Sequence, residues 1–453
     1  MIYVKLTLAL LVLTLAGAGL AALLLRRSSP RGLLEFLGLS YALGFGLVGL
    51  ASVVLMLAGI RIGPWLAISL GILGMVLLIA CRPRFAPGAP VARLARAGQA
   101  FTVLVVLGMI FGALHRESIG WDAEIFWSLK GRSIQRYGSF RNPDFLSPEQ
   151  IHVNIQYPLL VPSIYAWVYD ATGSTNGRPI RLTMTLLFVA SLAVLGAALR
   201  RRLPADLSVW LTALYALTPM FDRVGGGVVG GYADYPLGVF ILIAALSALA
   251  WLETGDRGAM VLSACAIAYA SQIKSEGGAF TVVCALVFPL FGARIRGWRG
   301  ALEGASIVAA GLILFGLWTQ ARRSFPPGAG STSFAIGVEF KSPSEGLPSR
   351  VPFVLREFAT ELSGTARWQL FWPALFVILV LRFPRPKHPL SFLAWTGLGQ
   401  LGVYLVVWAL HYNPEFKYWN AHRMLLHLYP TLFAWGAMVL GTIPAMQDPH
   451  RPG

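Results

Sequence analysis

The chain has 453 residues, is 56% hydrophobic and only 13% charged, and carries a formal charge of +17. That composition excludes a soluble domain, and apolar runs that are continuous rather than alternating exclude a transmembrane β-barrel. The positive charge does not point to nucleic acid: the bases are dispersed among many short connectors, where arginine meets anionic lipid and fixes topology, and no nucleic-acid partner is expected.

The predicted fold is an all-α, polytopic transmembrane protein of about thirteen spans, at 3–25, 33–59, 62–80, 99–114, 179–199, 207–221, 236–252, 259–273, 278–293, 301–319, 368–381, 389–410 and 424–443. The first run is too long for a signal peptide, and Arg26, Arg27 and Arg31 follow the apolar stretch, so it reads as a retained span. Connectors 26–31, 82–98, 200–206, 294–299 and 382–388 are rich in arginine and are expected in the cytoplasm. Connectors 115–156, 222–235, 274–277, 320–367 and 411–423 carry Trp, Asp, Glu and His and are expected on the outer face. This alternation requires 157–172, which two prolines interrupt, not to cross; it is expected to lie along the outer face as a juxtamembrane or re-entrant helix.

The N-terminus is then outside, in a multi-pass protein of the inner (cytoplasmic) membrane. Residues 1–81 form a three-span unit, 82–98 a basic linker, 99–443 the larger module with outer loops 115–178 and 320–367, and 444–453 a cytoplasmic tail. Within the second loop, Val354 to Phe358 has the pattern of a surface helix. Cys81, Cys265 and Cys284 sit in or beside apolar runs without disulfide or zinc spacing, and read as small core residues.

Most acidic residues fall in the outer set of connectors, in four clusters. The first, Trp121 to Arg132, holds Asp122, Glu124 and Lys130 among Trp121, Phe126 and Trp127. Aromatic faces and carboxylates suit sugar rings, whose CH faces stack and whose hydroxyls donate; the structural alternative is an interfacial aromatic belt. The second, Gly230 to Pro236, puts Tyr232 and Asp234 at the start of a span after several glycines, where Asp234 is either functional or a helix cap. The third, Lys274-Ser275-Glu276-Gly277, is a hairpin tip for which an ion pair is a sufficient structural account. The fourth, His411 to Arg423, ends in His422 and Arg423, placed either to bind phosphate or to snorkel from a helix end.

Asp122, the Tyr157-Pro-Leu-Leu-Val-Pro stretch, Gly231-Tyr232-Ala233-Asp234, Lys274-Ser275-Glu276-Gly277 and the Arg423-to-Pro430 run together resemble the GT-C superfamily of polytopic glycosyltransferases. Protein O-mannosyltransferases and the lipid A aminoarabinose transferase are members, and the likeness is to a bacterial branch, over roughly residues 100–443. The sequence departs from better-known members in its three leading spans and in lacking a soluble C-terminal domain. The resemblance implies a polyprenyl-phosphate sugar donor and a lipid, glycan or protein acceptor in a membrane-lipid setting. Asp122 would be the general base for an inverting displacement. Lys274, Arg423, Lys130 and His422 would bind the donor phosphate, and Trp121, Trp127, Tyr157 and Tyr232 would stack on sugar. Asp234, Glu124 and Glu276 would orient the acceptor or ligate a metal, with Mg or Mn the candidate ion and no cofactor required by the residues themselves. Two alternatives stay open: a glycan polymerase or ligase leaning on Arg322, Arg323, His411 and His422, and a polytopic transporter or flippase.

Overall fold

The computed structural model describes residues 1–26, 31–86, 93–116, 118–146, 157–222, 227–324, 347–411 and 421–442. Among them it is helical, with no strand beyond one bridge between Arg31 and Phe85. The predicted tail 444–453, most of 411–423 and the middle of loop 320–367 lie outside the described residues.

Every predicted apolar run is helical. The helices are α1 (Ile2–Leu25), α2 (Leu33–Leu57), α3 (Pro64–Cys81), α4 (Arg93–His115), α5 (Leu129–Tyr137), α6 (Pro143–Leu146), α7 (Leu160–Thr172), α8 (Gly177–Arg200), α9 (Ala205–Ala216), α10 (Asp234–Thr254), α11 (Arg257–Ser271), α12 (Ser275–Ala321), α13 (Leu347–Ser363), α14 (Thr365–Trp368), α15 (Phe371–Leu381), α16 (Ser391–His411) and α17 (Ala421–Leu440). Among the described residues, 8 of these are long and apolar enough to cross a membrane, which makes the chain a helical multi-pass membrane protein. Three predicted spans are shorter helices: α9 has 12 residues, α11 has 15 and α15 has 11.

α12, 47 residues long, is two helices joined at Gly297, whose φ of 73° reverses the chain. The halves fold back on each other: a Cβ on Gly292 would stand 2.1 Å from the Gly300 carbonyl oxygen, and one on Gly304 would stand 2.6 Å from that of Phe288. The predicted spans 278–293 and 301–319 are the arms of this hairpin. A similar approach joins α1 to α2, since a Cβ on Gly44 would stand 1.7 Å from the Leu13 carbonyl oxygen. Small residues at such crossings let helix backbones touch where lipid offers no hydrophobic drive to association. Gly44→Val is expected to cost about 3 kcal/mol or more in detergent unfolding titrations, because neither backbone can yield. Unchanged stability would mean that the crossing is looser than described.

α10 is apolar on all sides and almost wholly buried, with neighbours α8, α11, α12, α16 and α17. Its 21 residues span about 31 Å at ~1.5 Å per residue, roughly the hydrocarbon thickness of a bilayer. The arginine-rich connectors gather at its C-terminal end. Arg31 and Arg201 pair with buried Glu35, Arg202 pairs with Glu253, and Glu303 accepts from Trp251 Nε1 at 2.9 Å and lies 3.7 Å from Arg296 Nε. The described parts of connectors 115–156, 222–235 and 274–277 meet at its N-terminal end, where Gly120 N donates to Gly230 O and Lys274 Nζ to Asp234.

α7 differs from expectation. It does not lie along a surface: every residue from Leu160 to Tyr169 is buried, between α1, α2, α3 and the α5 layer. Trp167 Nε1 reaches the Ala9 carbonyl at 3.4 Å, and Leu160 N donates to Gln272 O at 3.1 Å. The two prolines stand at the start of a helix that is enclosed by protein, as a re-entrant segment must be. α13 does carry the predicted amphipathic stretch: Val354 and Phe358 are buried, Phe358 meeting Trp408 edge-on with ring centroids 5.3 Å apart, while Leu355 and Arg356 face out.

Candidate functional site

Asp234 is the first residue of α10, and Ala233 takes the cap position, so its carboxylate caps nothing. The side chain is 0% exposed and accepts from three basic groups. Oδ1 accepts from Lys274 Nζ at 2.8 Å and lies 3.2 Å from His427 Nε2. Oδ2 takes two bonds from Arg423, from Nη2 at 2.8 Å and Nε at 3.1 Å. The remaining Arg423 nitrogen, Nη1, donates to Asp122 Oδ2. One guanidinium therefore bridges two carboxylates that lie on helices far apart in sequence. Exposure falls along this line, from 20% at the Asp122 side chain through 14% at Arg423 to 0% at Asp234.

The surrounding groups follow from local structure. Lys274 sits at the tip between α11 and α12, where its Nζ also lies 2.9 Å from Glu276 Oε1. The tip is tight because a Cβ on Gly277 would stand 1.8 Å from the Ala270 carbonyl oxygen. The turn before α10 needs Gly231 at φ 75°; Gly231 O accepts from the Tyr165 hydroxyl, and Gly230 O from Gly120 N at 2.8 Å. Those two bonds tie the turn to α7 and to the approach to Asp122. Arg423 lies 4.8 Å over the Tyr232 ring. Tyr157 stacks on Trp127 at 5.2 Å and stands between Lys130 and Lys274, each with Nζ 5.7 Å from its ring.

Charge states follow from these contacts. The buried Asp234 carboxylate is neutralised by the Arg423 and Lys274 cations and bonded by His427. Burial opposes the charge on Lys274, but its carboxylate partners raise it. Burial pushes the Lys130 ammonium down to about 7, so near neutral pH only about half of it carries charge.

Asp122, Asp234, Lys274, Glu276, Arg423, Tyr157, Tyr232, Trp127 and Lys130 are thus brought together. Glu124 is not: it pairs with Arg132. Trp121 is 67% exposed and packs edge-on against Phe126, while Trp127 is 0% exposed with a face covered by Tyr157. Arg322 and Arg323 lie in the turn after α12, and of the His411 side chain nothing is described. Among the described residues no three metal-type side chains form a binding group, and both Asp234 oxygens are already bonded to cations.

The residues missed in sequence are His427, whose Nδ1 lies 2.8 Å from the Tyr404 hydroxyl, and Gln400, whose Nε2 donates to Glu276 O at 3.1 Å. The spacing of Arg423 and His427 was the available signal, since residues four apart share a helix face.

His422 makes none of the network's hydrogen bonds, and Arg367 and Glu361 of α14 and α13 act on it together with Arg423 and Asp234. Burial pushes its imidazole from 6.5 down to about 4, with the Arg367 guanidinium acting in the same sense. The unfolded chain takes up this proton near pH 6.5 and the folded chain only near 4. The His422 contribution is therefore complete above pH 6.5 and is lost as pH falls toward 4. His422→Gln is expected to flatten this part of the stability–pH curve, and superimposable acid slopes for the two proteins would exclude that titration.

The fold and this cluster define a polytopic helical membrane protein with a buried acid–base network at one end of its central helix. Comparison with protein-family profiles, with characterised proteins and with solved structures finds no match to the chain.

Proposed function

We propose that the chain is a membrane glycosyltransferase of the GT-C type, with about thirteen crossings and its site on the extracytoplasmic face. It would move a sugar from a polyprenyl-phosphate donor to an acceptor hydroxyl with inversion. The observation that carries the reading is the Arg423 bridge between partly accessible Asp122 and buried Asp234, with Lys274 beside it. Arg423 Nε and Nη2 are anchored by Asp234, whereas Nη1 serves only the more exposed Asp122. A donor phosphate taking Nη1 would release the Asp122 carboxylate as that phosphate arrives. Asp122 then accepts the acceptor hydroxyl proton as the oxygen attacks the anomeric carbon. The bond from that carbon to the phosphate oxygen breaks, and Arg423 and Lys274 stabilise the charge left on polyprenyl phosphate.

A second observation supports a hydroxyl-bearing ligand. Glu276 Oε2 and Gln400 Oε1 are buried acceptors with no donor among the described residues. Such atoms are costly to leave bare, and sugar hydroxyls or ordered water would supply the missing donors. The test is an assay of membranes containing the protein, supplied with a panel of polyprenyl-phosphate hexoses and pentoses labelled in the sugar. Inverted product and released polyprenyl phosphate are expected. Label that crosses the bilayer while still attached to lipid would overturn the reading in favour of a flippase.

A further inference from the structure

A second buried cation stands outside the Asp234 network. Arg181, at the N-terminal end of α8, is 1% exposed, and its Nε and Nη1 are buried without a hydrogen-bond partner among the described residues. No carboxylate of the described residues lies within ion-pair distance of it. The charged and polar groups that face it are Arg116, just past the end of α4, then Asp222 and the Tyr165 hydroxyl. Arg116 and Asp222 are exposed, whereas the Arg181 side chain is buried.

This arrangement is expensive as it stands. A buried guanidinium with unmade hydrogen bonds has lost its water, and among the described residues no carboxylate comes within ion-pair distance: exposed Asp222 favours its charge only from farther off, and Arg116 opposes it. The N-terminal end of α8 adds positive potential at the same place. An apolar side chain would pack there at lower cost, so the arginine is explained by what completes it. We propose that Arg181 and Arg116 form an anion site that takes a phosphate oxyanion, with Arg181 supplying buried N–H donors and Arg116 the outer charge. The phosphate comes either from an anionic lipid headgroup at the membrane surface or from a soluble phosphate group. The site stands on α4, α8 and Tyr165 and does not depend on the glycosyl-transfer reading.

The purified full-length protein tests this through its thermal unfolding midpoint. One arm compares inorganic phosphate with chloride at equal ionic strength in detergent. The other compares nanodiscs of phosphatidylcholine with nanodiscs containing phosphatidylglycerol. Wild type is expected to be stabilised in at least one arm, and the arm identifies the source of the phosphate. Arg181→Met is expected to lose that shift while unfolding in chloride no earlier than wild type, because the bare charge is gone. Arg116→Gln, on the surface, is expected to weaken the response roughly tenfold, and it decides the matter if the methionine variant does not fold. A wild-type protein insensitive in both arms, or a full shift retained by the variants, overturns the proposal. Sugar transfer is assayed separately, so a protein that fails one test and passes the other separates the two readings.

Discussion

Asp234→Ala is expected to lower the unfolding free energy by about 3–5 kcal/mol. The alanine leaves Lys274, with 4% of its side chain exposed, and most of the Arg423 guanidinium inside the protein without the carboxylate that neutralises them. His427 loses its partner at the same time. Removing one member of a buried ion network costs far more than an exposed pair does, because the stranded charges keep their desolvation penalty. Lys274→Ala in the same background should recover part of the loss, so the two substitutions will be non-additive. Detergent unfolding titrations of the two single variants and the double variant measure this. A loss under about 1 kcal/mol for Asp234→Ala would place the network in a wetter environment than its burial indicates.

Asp122→Asn is expected to have the opposite profile, small in stability and large in activity. Asp122 is the outermost member of the network, and Arg423 keeps two bonds to Asp234 without it, so the fold should lose no more than about 1 kcal/mol. An asparagine cannot accept the acceptor hydroxyl proton, and loss of a positioned base typically costs about 10²–10⁴-fold in rate. The amide also relaxes its hold on Arg423 Nη1. The KM for the lipid-phosphate donor should therefore stay level or fall while kcat collapses. Transfer at wild-type kcat in a folded Asp122→Asn protein would remove Asp122 from the chemistry.

The sequence carried the helices because each transmembrane helix satisfies its own backbone hydrogen bonds, so a stretch of apolar residues is a local statement. That is why both arms of α12 were legible from 278–293 and 301–319, although one hairpin glycine decides how they fold. It was less decisive at α7, whose moderate hydropathy and prolines fit a helix along a surface as well as a re-entrant one wrapped in protein, and only the packing shows it buried. Glu124 misled for a geometric reason. Residues two apart on a helical segment project to different sides, so the spacing of Asp122 and Glu124 did not say which of them would face the site. Asp122 turned to Arg423 and Glu124 to Arg132.

By itself the sequence determined an oily, helical, multi-pass chain whose acidic and aromatic connectors alternate with arginine-rich ones, because hydropathy and charge are summed over neighbours along the chain. Only the tertiary structure decided that Asp122, Asp234, Lys274 and Arg423 share one network and that His427 completes it. Which helix faces meet depends on packing between segments up to 301 residues apart. A periodic pattern along one segment carries no record of the segment it will touch.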